Sequence, residues 1–160
     1  MKTLVVIRCG ERVCALDRAA VQEVAPVPEL AHPPSLPASV EGLMNLGGEA
    51  IVVVDLAKLL DVSPNPDINP VYRHVVVLAG PEAPIALLVD RVEDVCHVAV
   101  DAVTPADDQS SVNGCVVGHV EIGGVTAHLL DASRIFLAAE RARFAEIQRS
   151  EQARMDALDA

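Results

Sequence analysis

The side chains from which a metal site could be built lie in the second half of the chain: Cys96, His97, Cys115, His119 and His128. Cys115 and His119 would share a face if both lie on one strand, because strand side chains alternate. Cysteine and histidine are the usual ligands of zinc, but this spacing matches no closed zinc signature. We therefore expect no metal and no cofactor, and we interpret these residues as scattered core and surface positions.

Four aspartates at the ends of apolar segments are the other candidates for chemistry: Asp17, Asp55, Asp90 and Asp131. Each ends a predicted strand, where its carboxylate can accept hydrogen bonds from the next free amides. Capping therefore explains these residues better than general acid–base catalysis. Cys14 is a candidate nucleophile, but nothing in the sequence activates its thiol. The motifs of serine hydrolases, phosphate-binding loops and zinc proteases are absent from the sequence. The protein is therefore predicted not to be an enzyme.

The same aspartates mark an internal repeat, in which an ordered set of segments occurs twice. The corresponding pairs, at offsets of 73, 72 and 76 residues, are Asp17 with Asp90, Gly42 with Gly114, and Asp55 with Asp131. A repeat of this period predicts two β-rich halves that fold alike. We expect them at about residues 1–62 and 71–131, as two superposable small barrels joined by a linker at 63–70.

Composition agrees with a β-rich protein of two small lobes. Apolar residues make up 51% of the chain but aromatic residues only 2%, so the core must consist of aliphatic side chains that suit strands. The formal net charge of −11, without any basic run, argues against nucleic acid and anionic membranes as partners. The apolar stretch near the N-terminus is interrupted by Arg8 and is too short for a signal peptide or a membrane span. We therefore expect a soluble cytoplasmic protein with reduced, buried cysteines.

In the first half, turn residues separate the predicted elements. Strands are expected at 4–9 and 12–16 around a glycine turn, and a buried strand at 49–54. The segment 21–27 is too irregular to distinguish a strand from a short helix. The prolines between positions 26 and 37 predict a stiff loop. Asp55 is expected to cap a short helix that runs through Leu60.

In the second half, strands are expected at 73–79 and 85–89 around a turn at 80–82, followed by an alternating segment at 91–98. A polar loop is predicted at 104–111, and a hairpin at 115–122 and 125–130 around two glycines. Asp131 is expected to cap a final helix over residues 132–160, roughly 40 Å long to about Leu158. The first turns of that helix should dock on the barrels through three apolar residues, Ile135, Phe136 and Leu137.

The distal part of this helix has two interpretations. Four apolar residues form a sparse stripe, which Glu151 interrupts: Phe144, Ile147, Met155 and Leu158. The stripe suits a solvated tail that packs lightly on its own domain, which is the interpretation we favour. The alternative is an arm that binds a partner or a second copy.

Three segments together resemble the CheW family, the adaptor that couples bacterial chemoreceptors to the histidine kinase CheA. They are the V-Q-E-V run from Val21, the V-E-G-L-M-N-L-G-G run from Val40, and the L-V-D-R-V-E-D-V run from Leu88. The similarity covers about residues 4–135. It implies a mainly β fold, two side-by-side five-stranded SH3-like barrels with a long C-terminal α-helix, with residues 1–138 as the CheW-like domain. It also implies a non-catalytic protein associated with receptor arrays at the inner membrane, with one surface for the receptor's cytoplasmic tip and another for the kinase's regulatory domain.

The resemblance also implies which residues bind partners: Val21, Glu23, Gly42, Asn45, Gly47, Gly48, Ala86 and Val92. Val21 would be an exposed apolar anchor, and Ala86 and Val92 match positions linked to receptor contact. Taken alone, several of these residues have structural explanations. Val21 can be a core valine, Gly42 a turn residue, and Asn45 a cap of its own loop.

The chain departs from the family at two positions. The family's arginine in N-L-R-G is Gly47 here, and the proline of the following strand is Val52. An arginine offers a planar fork of donors, and glycine offers none. A diverged CheW-like scaffold of a non-motility chemosensory pathway is therefore an alternative. A Cys/His metal or redox module is the alternative from a different class.

Overall fold

The computed structural model describes residues 1–80, 83–106 and 111–158. The strands in these ranges are β1 (Lys2–Cys9), β2 (Arg12–Asp17), β3 (Val21–Pro26), β4 (Val40–Leu46), β5 (Glu49–Asp55), β6 (His74–Leu78), β7 (Ile85–Val89), β8 (Arg91–Val98), β9 (Thr104–Pro105), β10 (Val116–Ile122) and β11 (Val125–Leu130). The α-helices are α1 (Leu56–Leu59) and α2 (Ala138–Leu158). No helix in the described ranges has the length and apolarity needed to cross a membrane.

Most of the strands lie where turn chemistry placed them. Gly10 closes the β1–β2 hairpin in a left-handed conformation with φ of 58°, as the sequence predicted. The irregular segment at 21–27 is a strand, since β3 pairs with β6. Strand β4 was not predicted. Residues 81–82 of the expected turn and 107–110 of the expected polar loop lie outside the described residues, and the start of that loop forms β9.

Two sheets share one plan of strands. The first has the order β8-β1-β2-β11-β10-β9 and the second the order β3-β6-β7-β5-β4. The second sheet thus has the five strands that the resemblance implied, but the first has six in the described ranges, because the short β9 adds to its edge. In each, a hairpin (β1–β2 or β6–β7) pairs in parallel with the final strand of a second hairpin (β11 or β5). The internal repeat is therefore present in the fold.

Each sheet nevertheless combines strands from both halves of the chain. The first contains β1 and β2 together with β8 to β11, and the second contains β3 to β5 together with β6 and β7. This corrects the expectation that residues 1–62 and 71–131 each form one barrel. Both edges of β2 are occupied, by β1 and β11. The chain after Asp17 therefore crosses to the other sheet, where β3 pairs with β6.

One of the predicted repeat pairs is also corrected. Gly42 lies at a register shift on β4, and the residue at the equivalent shift on β10 is Gly118. Gly114 lies instead in a short 3₁₀ turn before β10. Gly42 and Gly118 share a physical constraint, because a Cβ on either would lie within 3 Å of the segment paired to its strand. The sequence similarity around Gly114 therefore placed the counterpart of Gly42 four residues too early in the chain.

The described part of the chain contains three clusters of buried apolar side chains. One lies within the first sheet and includes Leu4, Val6, Val120 and Leu129. A second lies within the second sheet and includes Met44, Ile51, Val75 and Ala86. The third and largest, here called the inter-sheet core, combines side chains of both sheets with those around α2, among them Ile7, Leu16, Val21, Val52, Leu87, Ile135 and Phe144. The two sheets therefore form one folding unit.

The C-terminal helix begins later than predicted. Asp131 caps a 3₁₀ turn at Ala132–Arg134, and α2 starts only at Ala138. Its 21 residues span about 32 Å. Ile135 and Phe136 are buried as expected, but Leu137 is 55% exposed. Phe144 is buried, and Ile147 and Met155 pack against the inter-sheet core, so α2 lies on its own domain.

Candidate functional site

The turn between β4 and β5 is an exposed, precisely shaped feature at one end of the second sheet. Gly47 and Gly48 are both left-handed, with φ of 59° and 91°, a conformation that suits glycine. The Asn45 side-chain oxygen accepts a hydrogen bond from the Gly48 N–H at 2.8 Å. This turn, residues 45–48, is here called the docking turn. It brings together three of the residues that the resemblance implied, Asn45, Gly47 and Gly48.

A fourth residue holds this turn and carries no signal in the sequence. Gln152 on α2 donates from Nε2 to the Gly48 carbonyl at 2.9 Å and accepts at Oε1 from the Ala50 N–H at 2.9 Å. The two segments are 104 residues apart in the chain, and a lone helical glutamine matches no motif. An amphipathic stripe predicts that α2 packs, but not where its polar side chains meet the sheet.

Two further candidates, Glu23 and Val92, lie on outer strands of the sheets. Glu23 is exposed on β3, the outer strand opposite β4 in the order of the second sheet. Val92 is half-buried on β8, an outer strand of the first sheet, and its N–H donates to His74 Nδ1 at 3.1 Å. The sheet order therefore does not place Glu23 and Val92 next to the docking turn.

Two implied residues are not on the surface. Val21 is 5% exposed and belongs to the inter-sheet core, so the expectation of an exposed apolar anchor is wrong. Ala86 is fully buried within the second sheet. A substitution at either position acts first on packing, and an effect on partner binding there would be indirect.

Gly42 is held by a close backbone approach. A Cβ at this position would lie 2.8 Å from the carbonyl oxygen of Ala31, which itself accepts a hydrogen bond from the Leu43 N–H. Glycine is therefore required to let the proline-rich loop pair with β4. This is a structural role, and it accounts for Gly42 without any partner.

We expect Gly42→Ala to destabilise the fold by about 1–3 kcal/mol, because the loop at Ala31 must move or the contact is overpacked. The control is Gly80→Ala, where a Cβ meets nothing within 4 Å and the backbone is not left-handed. Urea unfolding of both variants measures the difference. Equal midpoints for the two variants would show that the approach at Ala31 imposes no constraint.

In the described ranges the cysteine and histidine side chains that were candidates for chemistry are dispersed, and Cys14 and Cys115 are buried. In the described ranges no three side chains of histidine, cysteine, aspartate or glutamate lie together as metal ligands would. His119 and His128 stack edge to face at 5.0 Å between ring centroids, while Cys115 is buried in the inter-sheet core. Cys14 is also buried there, beside Cys9, and the hydrogen bond with Cys9 lowers the pKa of the Cys14 thiol although burial opposes this. The hydrogen bond with Cys14, together with burial, raises the pKa of the Cys9 thiol.

Three of the four repeated aspartates cap local turns, as predicted: Asp17, Asp55 and Asp131. Asp90 differs, since it accepts a hydrogen bond from the Gly10 N–H at 2.6 Å and thus links the end of β7 to the β1–β2 turn of the other sheet. Arg73 joins Asp55 and Asp90, with its guanidinium 3.0 Å and 3.6 Å from their carboxylates. This charged cluster is structural.

A groove of about 580 Å³ runs along the boundary between the two sheets and the start of α2. Its apolar lining comes from both sheets, with Leu78 and Ile85 from the second and Leu129 and Leu130 from the first. Charged side chains of both signs also line it: Lys2, Asp17, Asp131 and Arg141. A groove lined by both apolar and charged side chains is one kind of surface that can accept an amphipathic helix.

Comparisons with known proteins place these features in context. The family described as the CheW-like domain matches residues 3–140. The "Probable chemotaxis protein CheW" of Rhizobium etli is 29% identical over 111 residues, which cover 69% of this chain and 70% of that protein. The "Chemotaxis protein CheW" of Rhizobium meliloti is 27% identical over 143 residues, which cover 88% and 90%.

A solved structure confirms the fold class. The crystal structure of the scaffolding protein TtCheW from Thermoanaerobacter tengcongensis matches with a TM-score of 0.74 at 22% identity, and the match covers 86% of this chain and 88% of that one. The fold is thus the mainly β, SH3-like double barrel with a C-terminal helix that the sequence indicated.

Proposed function

Since this chain belongs to the CheW-like domain family, we propose that it is a non-catalytic adaptor that couples chemoreceptors to a CheA-type histidine kinase in chemotaxis signalling. The observation that carries the proposal is the extent of the family match, because residues 3–140 contain both sheets and the first turn of α2. The names of the two rhizobial relatives, both chemotaxis proteins, support the same role. Residues 1–138 would act as one docking domain at receptor arrays of the inner membrane.

The kinase is proposed to bind at the docking turn. Asn45, Gly47 and Gly48 are exposed, and nothing lies within 4 Å of a Cβ built on either glycine. A partner can therefore reach the backbone of the turn directly. Glu23 and Val92 stay predictions as partner-binding residues on the outer strands.

The receptor tip is proposed to bind in the groove between the sheets. A receptor tip in this family is a helical hairpin, and the groove is lined by apolar side chains of both sheets and by charged side chains that include Asp131 and Arg141. Binding there uses a surface that only the assembled double barrel provides. Kinase and receptor then occupy separate surfaces, as coupling requires.

The test is a pull-down of the organism's chemoreceptors and CheA-type kinases with the full-length purified protein as bait. We expect the folded bait to retain at least one receptor and one kinase. The amounts retained should exceed those on a control bait of the same protein after thermal unfolding. Retention of a kinase from a non-motility operon alone would assign the protein to a diverged chemosensory pathway. Retention of neither class of partner would overturn the proposal.

Gly47→Arg is expected to strengthen binding to a motility-type CheA kinase about tenfold, because a guanidinium at an interface adds charge-assisted hydrogen bonds. The site has room for the side chain. The left-handed backbone costs a residue with a Cβ about 1–2 kcal/mol of stability. Calorimetric titration at two salt concentrations measures the gain, which must shrink as salt screens the added charge.

Gly47→Ala is the matched control, because it carries the same backbone strain without the guanidinium. A native partner that has diverged to meet glycine should gain little from the arginine or lose affinity. If neither kind of kinase distinguishes Gly47→Arg from Gly47→Ala, the docking turn does not contact the kinase.

A further inference from the structure

We infer that Gln152 is a positioning residue for docking, which fixes the backbone of the docking turn in the shape to which the kinase binds. The inference rests on the proposed function and adds to it a residue on α2. Its basis is the way the two glycines of the turn are held, since Leu46 packs against the second sheet but neither glycine has a side chain to pack. Both glycines face open space.

The backbone of the docking turn would be flexible without hydrogen bonds to hold it. Two consecutive glycines have more accessible backbone conformations than any other pair, so an unrestrained turn would sample many shapes. The Asn45 side chain holds the N–H of Gly48, and Gln152 holds its C=O. The N–H and the C=O of Gly48 are thus held by side chains from two different elements, β4 and α2.

Three hydrogen bonds set the orientation of the Gln152 side-chain amide. Its Nε2 donates to the Gly48 carbonyl at 2.9 Å and to Asp156 Oδ1 at 3.1 Å, one helical turn further on. Its Oε1 accepts from the Ala50 N–H at 2.9 Å. The amide therefore pairs with the edge of β5 as a neighbouring strand would, donating to one residue and accepting from the residue two positions later.

Apolar packing fixes the position of α2 on the sheets. Phe144 is 3% exposed, and Ile147 and Met155 pack against the inter-sheet core. These contacts set the position of the helix along its axis and so bring Gln152 opposite the docking turn. A turn held in one shape avoids the cost of ordering when a partner binds, which raises affinity without any direct contact.

The experiment uses the full chain and compares Gln152→Leu with Gln148→Leu, the same change one helical turn earlier. Hydrogen exchange followed by NMR reads the Ala50 amide, and titration with the kinase regulatory domain reads docking. We expect Gln152→Leu to speed exchange at Ala50 about tenfold and to weaken binding about tenfold, and we expect Gln148→Leu to change neither.

A double variant separates the two hydrogen bonds of the amide. Gln152→Glu with Asp156→Asn keeps an acceptor for the Ala50 N–H, removes the donor to the Gly48 carbonyl, and avoids two adjacent carboxylates. The Ala50 amide should stay protected while kinase binding still falls. A change that acted only through overall stability would move both readouts together.

Three results overturn the inference. Unchanged exchange at Ala50 in Gln152→Leu would show that Gln152 does not hold the turn. Faster exchange with undiminished kinase binding would show that the shape of the turn is irrelevant to docking, while the proposed function stands. Absence of kinase binding by the wild-type protein would overturn the proposed function and this inference together.

Discussion

Arg73→Met is expected to destabilise the protein by about 3–5 kcal/mol, because it leaves a buried carboxylate without its counter-charge. Asp55 is 5% exposed, and among the described residues it is the one buried side chain that carries a charge. Arg73 donates to it at 3.0 Å and also lies 3.6 Å from Asp90, which binds the Gly10 N–H of the other sheet. The arginine thus joins three segments at the boundary of the sheets.

Urea unfolding of Arg73→Met beside Arg91→Met measures this effect, since Arg91 is exposed on β8. The control should stay within about 0.5 kcal/mol of wild type, as surface substitutions usually do. Equal stability losses in the two variants would mean that Asp55 finds sufficient solvation without Arg73. The charged cluster would then have no part in joining the sheets.

Phe144→Ala is expected to cost about 3–5 kcal/mol, the usual loss for a large aromatic side chain removed from a core. The Phe144 ring is 3% exposed and meets Phe136 edge to face, at 5.4 Å and 86°. The guanidinium of Arg141 lies over the ring of Phe136, 5.7 Å from its centre. Loss of Phe144 therefore opens a cavity where α2 meets the inter-sheet core.

Leu158→Ala is the control within the same helix, because Leu158 is 83% exposed. Thermal unfolding followed by circular dichroism should show a large fall in melting temperature for Phe144→Ala and almost none for Leu158→Ala. A wild-type melting temperature for Phe144→Ala would show that α2 is a loosely attached tail, and Gln152 would then lose its fixed position.

The strand plan was largely readable from the sequence, but its distribution between the sheets was not. Glycine turns and apolar runs located the β1–β2, β6–β7 and β10–β11 hairpins. The crossing of the chain after Asp17 depends on which strand edges are already filled, and β2 is paired on both sides. No local pattern encodes that. The equivalence of Gly42 with Gly118 rests likewise on matching register shifts rather than on matching letters.

The candidate site was foreseen only where it is local. The docking turn could be recognised from its residue types, since Asn45, Gly47 and Gly48 are residues that favour turns. Val21 was misplaced because the resemblance, and not an alternating pattern, put it on the surface. It is the first residue of β3, and it packs into the inter-sheet core although the next three residues of the strand are exposed. Gln152 acts across 102 to 104 residues on backbone groups, and such contacts leave no trace in residue types.

The most direct measurement of the coupling role is co-sedimentation of a CheA-type kinase with vesicles that carry the cognate chemoreceptor. We predict that the kinase sediments with these vesicles when this protein is present and stays largely in the supernatant when it is omitted. A large excess of the adaptor should reduce the sedimented kinase, because separate binding to each partner then breaks the bridge. Kinase sedimentation that is the same with and without the protein would contradict the coupling role.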